Sequence, residues 1–253
     1  MSDPCLPAEI LDHVVDQLHN TQGALRNCCL VSKSWIPRTR KHLFANIAFP
    51  TAESLRSWKE MFPDPSTSLA CYAKTLSLNF KAPDAEVGSW IRGFSRVVHL
   101  EVGSGINLDE LVISLVPLHG SSPIIRSLRV AAVTRPSLRI FDLIFLFPLL
   151  EDLAVIVHGM PIWYGRDNEE DEMQNGTHPL SPPVLTGSLE LDPLVGMGPF
   201  TRRLLSLPGG IHFQKLTLMW RHDKDPSTTT RLVEECSHTL KSLDITWGRG
   251  KPI

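Results

Sequence analysis

Lys74-Thr75-Leu76-Ser77-Leu78 is followed by Val98-His99-Leu100-Glu101-Val102 and then by Arg126-Ser127-Leu128-Arg129-Val130. The same Leu-x-apolar signature returns in Glu151-Asp152-Leu153-Ala154-Val155, Gly187-Ser188-Leu189-Glu190-Leu191, Lys215-Leu216-Thr217-Leu218 and Lys241-Ser242-Leu243-Asp244-Ile245. The central leucines stand at 76, 100, 128, 153, 189, 216 and 243, with spacings of 24, 28, 25, 36, 27 and 27 residues. Alternation with period two places both apolar residues of a unit on one side of a short strand. The residue between them faces the other way. Ser77, Glu101, Arg129, Glu190, Thr217 and Asp244 are therefore the exposed positions of the strands, and they become the candidate recognition positions if the units stack into a solenoid, whose strand-lined face is the usual binding surface.

Helix-like patches lie between these strands. Asn107-Leu108-Asp109 leads into Leu111, Val112 and Leu115, and Ser137 precedes Leu138, Ile140, Phe141 and Ile144. Thr201 leads into Leu204 and Leu205, and Ser227-Thr228 precedes Leu232, Val233 and Cys236. Each patch starts near a side chain able to satisfy orphan helix N–H groups. A unit with one apolar strand face and one apolar helix stripe is covered only when its neighbours stack on it. The spacings mostly fall within the roughly 20–29 residues of leucine-rich repeats. The expected fold class is α/β, with residues 71–253 an irregular leucine-rich-repeat-like solenoid of strand-turn-helix units. The alternative is a non-repeating α/β domain. That fold mixes strand orders, whereas a solenoid keeps sequential neighbours. The spacing of 36 marks an insertion over 163–183, with Asp167, Glu169, Glu170, Asp171 and Glu172 followed by Pro179, Pro182 and Pro183. Without apolar periodicity it reads as a solvated acidic loop.

Residues 6–46 have a different texture. Ile10, Leu11, Val14 and Leu18 form one stripe of a helix that Pro7 helps to start. A second helix carries Leu25, Cys28, Cys29 and Leu30. Ser34 is the expected cap of a third, which tolerates Pro37 in its first turn and runs to Phe44. Three short helices bury little surface alone. Residues 47–70 read as a helical linker, with Thr51 capping a helix whose apolar face includes Leu55, Trp58 and Phe62.

The 253 residues suit one or two domains. A 42% hydrophobic and 21% charged composition is that of a globular chain rather than a disordered or fibrous one. The net charge of −2 gives no reason to expect nucleic acid or a membrane surface as partner. Leucine occurs 35 times and tyrosine twice. The most apolar run, Leu138 to Leu150, is interrupted by Arg139, Asp142 and Pro148, and a span needs about 20 apolar residues. Residues 1–5 lack the features of a secretory signal, so a cytoplasmic or nuclear location is expected. The five cysteines are too scattered for a disulfide framework, and Asn175-Gly176-Thr177 is a chance glycosylation match.

No motif for catalysis, cofactor or metal binding emerges. Cys236-x-His238 lacks the second half of a zinc site. Gly196-Met197-Gly198 has Thr201 where a dinucleotide fingerprint needs glycine. Gly248-Arg249-Gly250-Lys251 has Pro252 where a phosphate loop needs Ser or Thr. Gly103-Ser104-Gly105 lacks the spacing of a nucleophile elbow, and Cys28-Cys29 in an apolar helix reads as packing. The basic stretch Arg26, Lys33, Arg38, Arg40 and Lys41 reads as exposed helix faces or a rim meeting an acidic protein.

Leu6-Pro7-Ala8-Glu9-Ile10-Leu11, then Leu18, Leu25, Cys28 and Leu30-Val31-Ser32-Lys33-Ser34-Trp35, resembles an F-box, and more narrowly that of mushroom-type fungal proteins. The likeness covers about 40 residues of the N-terminus, and F-boxes are commonly followed by leucine-rich repeats. It implies a three-helix F-box over 1–46 that docks a Skp-type adaptor and, through it, a cullin–RING ubiquitin ligase. By the resemblance Leu6, Pro7, Ile10, Leu11, Leu30, Val31, Ser32 and Trp35 stand at adaptor-contact or box-core positions. The repeats would hold a protein substrate, and the chain itself would be no enzyme and need no cofactor. The competing reading is a non-ligase interaction scaffold on the same solenoid. An enzyme carrying the box as a targeting tag is a third. The chain ends soon after Ile245 without a clear polar cap, which predicts an exposed and less stable last repeat.

Overall fold

Leu76, Leu100, Leu128, Leu153, Leu189, Leu216 and Leu243 stand side by side across adjacent strands. The computed structural model describes residues 7–64, 68–80, 93–115, 124–132, 139–157, 183–192, 198–220 and 226–247. The elements in chain order begin with α1 (Ala8–Gln17), α2 (Gln22–Val31), α3 (Ile36–Leu43), β1 (Asn46–Phe49), α4 (Ala52–Met61), β2 (Thr75–Leu78) and β3 (His99–Val102). There follow α5 (Leu108–Leu115), β4 (Ser127–Ala132), α6 (Arg139–Leu146), β5 (Asp152–Val157) and β6 (Ser188–Asp192). The series closes with α7 (Gly198–Leu205), β7 (Lys215–Trp220), α8 (Pro226–Cys236) and β8 (Ser242–Trp247). Short 3-10 turns cover Lys33–Trp35 and Leu69–Tyr72.

The protein is α/β. Among the described residues eight strands form one open parallel sheet in the order β1-β2-β3-β4-β5-β6-β7-β8, with no strand order mixed. Parallel neighbours require a crossover, and five of the described connections carry α4 to α8. Burial alternates along β1 to β7, with Ile156 on β5 an additional buried residue. The leucines of β2 to β7 are at most 1% exposed, and the residues between them are open or half-open. One sheet face therefore carries the core and the other is polar. α6 is buried nearly all round, through Ile140, Phe141, Leu143, Ile144, Phe145 and Leu146. Its Phe141 ring lies 5.1 Å from that of Phe200 on α7. This accounts for the apolar run around residues 138–150.

Several local readings need correction. β1 has no Leu-x-apolar signature, so residues 46–49 carried no strand expectation. Tertiary pairing recruits them: Ile47 and Phe49 extend the buried rows opposite Leu76 and Leu78. The sheet thus starts at the boundary between the expected box and the stretch read as helical linker. Ser34 is not the cap before the third helix. Ser32 accepts from the Ser34 N–H and opens a 3-10 turn ahead of α3, in which Pro37 occupies the first turn as expected. α7 starts at Gly198 and α8 at Pro226, earlier than Thr201 and Ser227-Thr228 suggested as caps. Proline lacks the N–H that the first turn leaves unpaired, so Pro199 and Pro226 suit these starts. Thr201 is then a buried helical residue. Asn107 does cap α5, accepting from the Asp109 N–H at 3.0 Å.

α4 is the joint between the N-terminal helices and the sheet. Thr51 and Ser54 form a reciprocal capping box, as the cap at Thr51 anticipated. Leu55 is buried, and the Trp58 ring contacts those of Phe44, Phe49 and Phe62 at 6.3, 5.8 and 4.8 Å. At the far edge Leu243 and Ile245 of β8 are 44% and 39% exposed, although they hold the register of the rows. Leu6, residues 163–182, the Asn175 sequon and Gly248 to Lys251 lie outside the described residues.

Candidate functional site

Two surfaces gather the candidate residues. The first is the N-terminal helical unit. Asp16 on α1 ties it to α3: its Oδ1 accepts from Arg38 Nε at 2.6 Å and lies 2.7 Å from His42 Nε2, and its Oδ2 accepts from Arg38 Nη2. The Arg38 guanidinium, with help from His42, holds the Asp16 carboxyl well below the usual carboxylate range. The same bonds raise Arg38. Arg38 is thus engaged inside the unit, while Arg26, Lys33, Arg40 and Lys41 are exposed.

The unit's interior is small, built on Val15, Leu25, Cys28 and Thr39. The stripe of Ile10, Leu11, Val14 and Leu18 does not form it. Val15, outside that stripe, is α1's fully buried residue, because α1 meets its neighbours along the edge that also holds Asp16. Ile10, Val14, Leu30 and Val31 are left 50%, 43%, 85% and 68% exposed. Of the residues given an adaptor role, Pro7, Ile10, Leu30 and Val31 are exposed, and Leu11, Ser32 and Trp35 are half-buried. Among the described residues Ile10, Val14, Leu30 and Val31 are the exposed large apolar side chains of the unit.

The second surface is the polar sheet face. Ser77, Glu101, Arg129, Ala154, Glu190, Thr217 and Asp244 are consecutive partners across β2 to β8. All six recognition candidates therefore fall in one row. Arg129 Nη1 donates to Glu190 Oε2 at 3.0 Å, reaching over β5. The small side chain of Ala154, the residue between them in the row, leaves the path open. One pleat earlier the row contains Thr75, His99, Ser127 and Asp152. Asp152 Oδ1 accepts from the Ser188 N–H at 2.6 Å and from Ser188 Oγ at 2.7 Å. Gly187 makes this possible, since a Cβ there would meet Asp152 Oδ1 at 2.3 Å. Together the two rows line a depression of about 270 Å³ across β2 to β6.

Glu101, Arg129 and Glu190 line this depression, while Ser77, Thr217 and Asp244 lie along the same row outside it. His99, Ser127, Asp152 and Ala154 were missed. The period-two rule, applied one step before each central leucine as well as one step after, marks the first three. Ala154 carries no chemical signal of its own, and only the Arg129–Glu190 bridge shows its importance. Among the described residues, no group of three or more His, Cys, Asp or Glu is placed to hold a metal ion. No described helix is long and apolar enough to cross a membrane. The described cysteines are free thiols, and burial pushes that of Cys236 up. Comparison with protein-family models, with curated proteins and with solved structures finds no match.

Proposed function

We propose that the chain is the substrate-receptor subunit of a Skp–cullin–F-box ubiquitin ligase. Residues 1–46 act as the F-box that docks a Skp-type adaptor, and the leucine-rich-repeat-like solenoid behind them binds a protein target. The observation that carries this reading is the exposure of Ile10, Leu30 and Val31. These are positions where the F-box resemblance puts adaptor contacts, and among the described residues nothing buries them. The sequential strand order supports the solenoid part of the reading. Such a receptor makes no covalent bond. It holds a substrate lysine beside a charged conjugating enzyme and so raises its effective concentration.

Adaptor binding tests it directly. Leu30→Ser with Val31→Ser removes apolar surface already in water, so folding is retained. Burying two such side chains at an interface is worth about 3 kcal/mol or more, so affinity for a purified Skp-type adaptor should fall by roughly a hundredfold. A wild-type chain that does not bind the adaptor, or a double variant that binds as tightly as wild type, refutes the proposal. Adaptor binding without cullin recruitment identifies a scaffold instead of a ligase.

A further inference from the structure

We infer that β8 is a self-association edge: a second copy of the chain pairs with it antiparallel, about a two-fold axis at Ile245, and so extends the sheet from one copy into the next. β8 is the last strand of the described sheet, and its pairing with β7 runs without a bulge over six residues. The two outer strands are finished differently. On β1, Ile47 and Phe49 are buried, and the Phe49 ring meets those of Trp58 on α4 and of Phe94. On β8 every residue from 242 to 246 is exposed. Leu243 and Ile245 are among them, although they continue rows that are fully buried at Leu216 and Leu218. Strand edges are ordinarily guarded by proline, a bulge or a charge turned towards the core face. Ser242-Leu243-Asp244-Ile245-Thr246-Trp247 has no proline, and its one charge, Asp244, lies in the polar row.

The β8 of a second copy fits this edge. Residues opposite one another in an antiparallel pair share a face, so only registers that set odd-numbered residues against odd-numbered ones join the two apolar rows. Centring on Asp244 sets two carboxylates against each other, which is destabilising. Centring on Leu243 pairs no more of each strand than Ser242 to Asp244. Centring on Ile245 pairs residues 243–247 of both strands. Ile245 then meets its own copy, Leu243 stands opposite Trp247, and Asp244 stands opposite Thr246, whose hydroxyl can donate to the carboxylate. A head-to-tail contact with β1 gives no such cover, because the apolar side chains of β1 are already buried within their own copy. An edge pairing of this length falls below about 1,200 Å², the range of transient complexes. The chain is therefore a monomer with an open edge at a few micromolar and a dimer at several hundred.

Sedimentation equilibrium of the full chain from about 2 to about 500 µM tests this. The weight-average mass should climb from that of one chain and level off at that of two. Ile245→Lys sets two ammonium groups against each other at the axis and should hold the mass at that of one chain throughout. Ile245 lies at an exposed edge, so the circular dichroism spectrum should be kept. Thr246→Lys instead sets an ammonium opposite each Asp244 carboxylate, twice by symmetry, and should tighten the dimer about fivefold. In the register centred on Asp244, Thr246 would face Ser242 and this gain would be missing. A chain that stays monomeric at the highest concentration overturns the inference. So does wild-type association in a folded Ile245→Lys variant, or association no tighter in Thr246→Lys. A mass that keeps growing past the dimer also overturns it and identifies head-to-tail stacking. These substitutions lie outside residues 7–44, so adaptor binding by the same variants reports separately on the proposed function.

Discussion

Leu153 and Leu243 occupy the same position in their repeats, yet one is 1% and the other 44% exposed. Replacing each by alanine isolates what stacking contributes. The change removes three carbons, worth about 2.4 kcal/mol of transfer free energy when fully buried. At Leu153, on β5 in the middle of the sheet, the cavity left behind adds on the order of 1 kcal/mol or more, for a total of about 3–4 kcal/mol. At Leu243 only a little over half the side chain is shielded and no enclosed cavity forms, so the cost is about 1.3 kcal/mol. For a chain of this size a kilocalorie shifts the melting temperature by about 2–4 °C. Leu153→Ala should therefore lower it by roughly 6–16 °C and Leu243→Ala by about 3–5 °C. Urea unfolding followed by circular dichroism gives the free energies directly. If both variants lose the same amount, the edge at β8 is covered in solution and the reasoning from exposure fails. A loss below 1 kcal/mol at Leu153 would refute the continuous core itself.

The same edge predicts faster exchange. Amides of residues 240–247 should lose protection well before those of 97–102, and equal protection by hydrogen-exchange mass spectrometry contradicts this. Gly187→Ala places a methyl group where the Asp152 carboxylate sits, breaking both bonds to Ser188, and should cost about 1–3 kcal/mol in denaturant unfolding. Thr51→Ala removes the acceptor of the α4 capping box and should cost about 1 kcal/mol by the same measurement. The depressed carboxyl of Asp16 stabilises the folded state at pH values above its unfolded value of about 4, and this contribution fades as pH falls below it toward the lower folded value. The melting-temperature advantage of wild type over Asp16→Asn should thus be full at pH 7 and shrink steadily from pH 4 to pH 2. An advantage that does not change with pH refutes the ion-pair role.

The legible and illegible parts of this chain differ for a physical reason. The Leu-x-apolar units predicted all seven strands from β2 to β8, and the alternation within them predicted the shared row of Ser77, Glu101, Arg129, Glu190, Thr217 and Asp244. Both follow from period-two geometry, which is local. β1 was illegible because Asn46-Ile47-Ala48-Phe49 is a strand only by virtue of pairing with β2. The stripe of Ile10, Leu11, Val14 and Leu18 shows the converse: periodicity located an apolar face but not what covers it. Val15 is buried and Ile10 exposed because α3 reaches α1 through Asp16, a contact between residues over twenty positions apart.

By itself, then, the sequence determined where strands repeat and which residues share a face, since both depend on spacing along a few residues. Only the tertiary structure decided that the strands keep sequential order, that Arg129 reaches over Ala154 to Glu190, and that Leu30 and Val31 stay in water. Those outcomes depend on which distant segments meet, and the energy of such meetings is written in no single stretch of the chain.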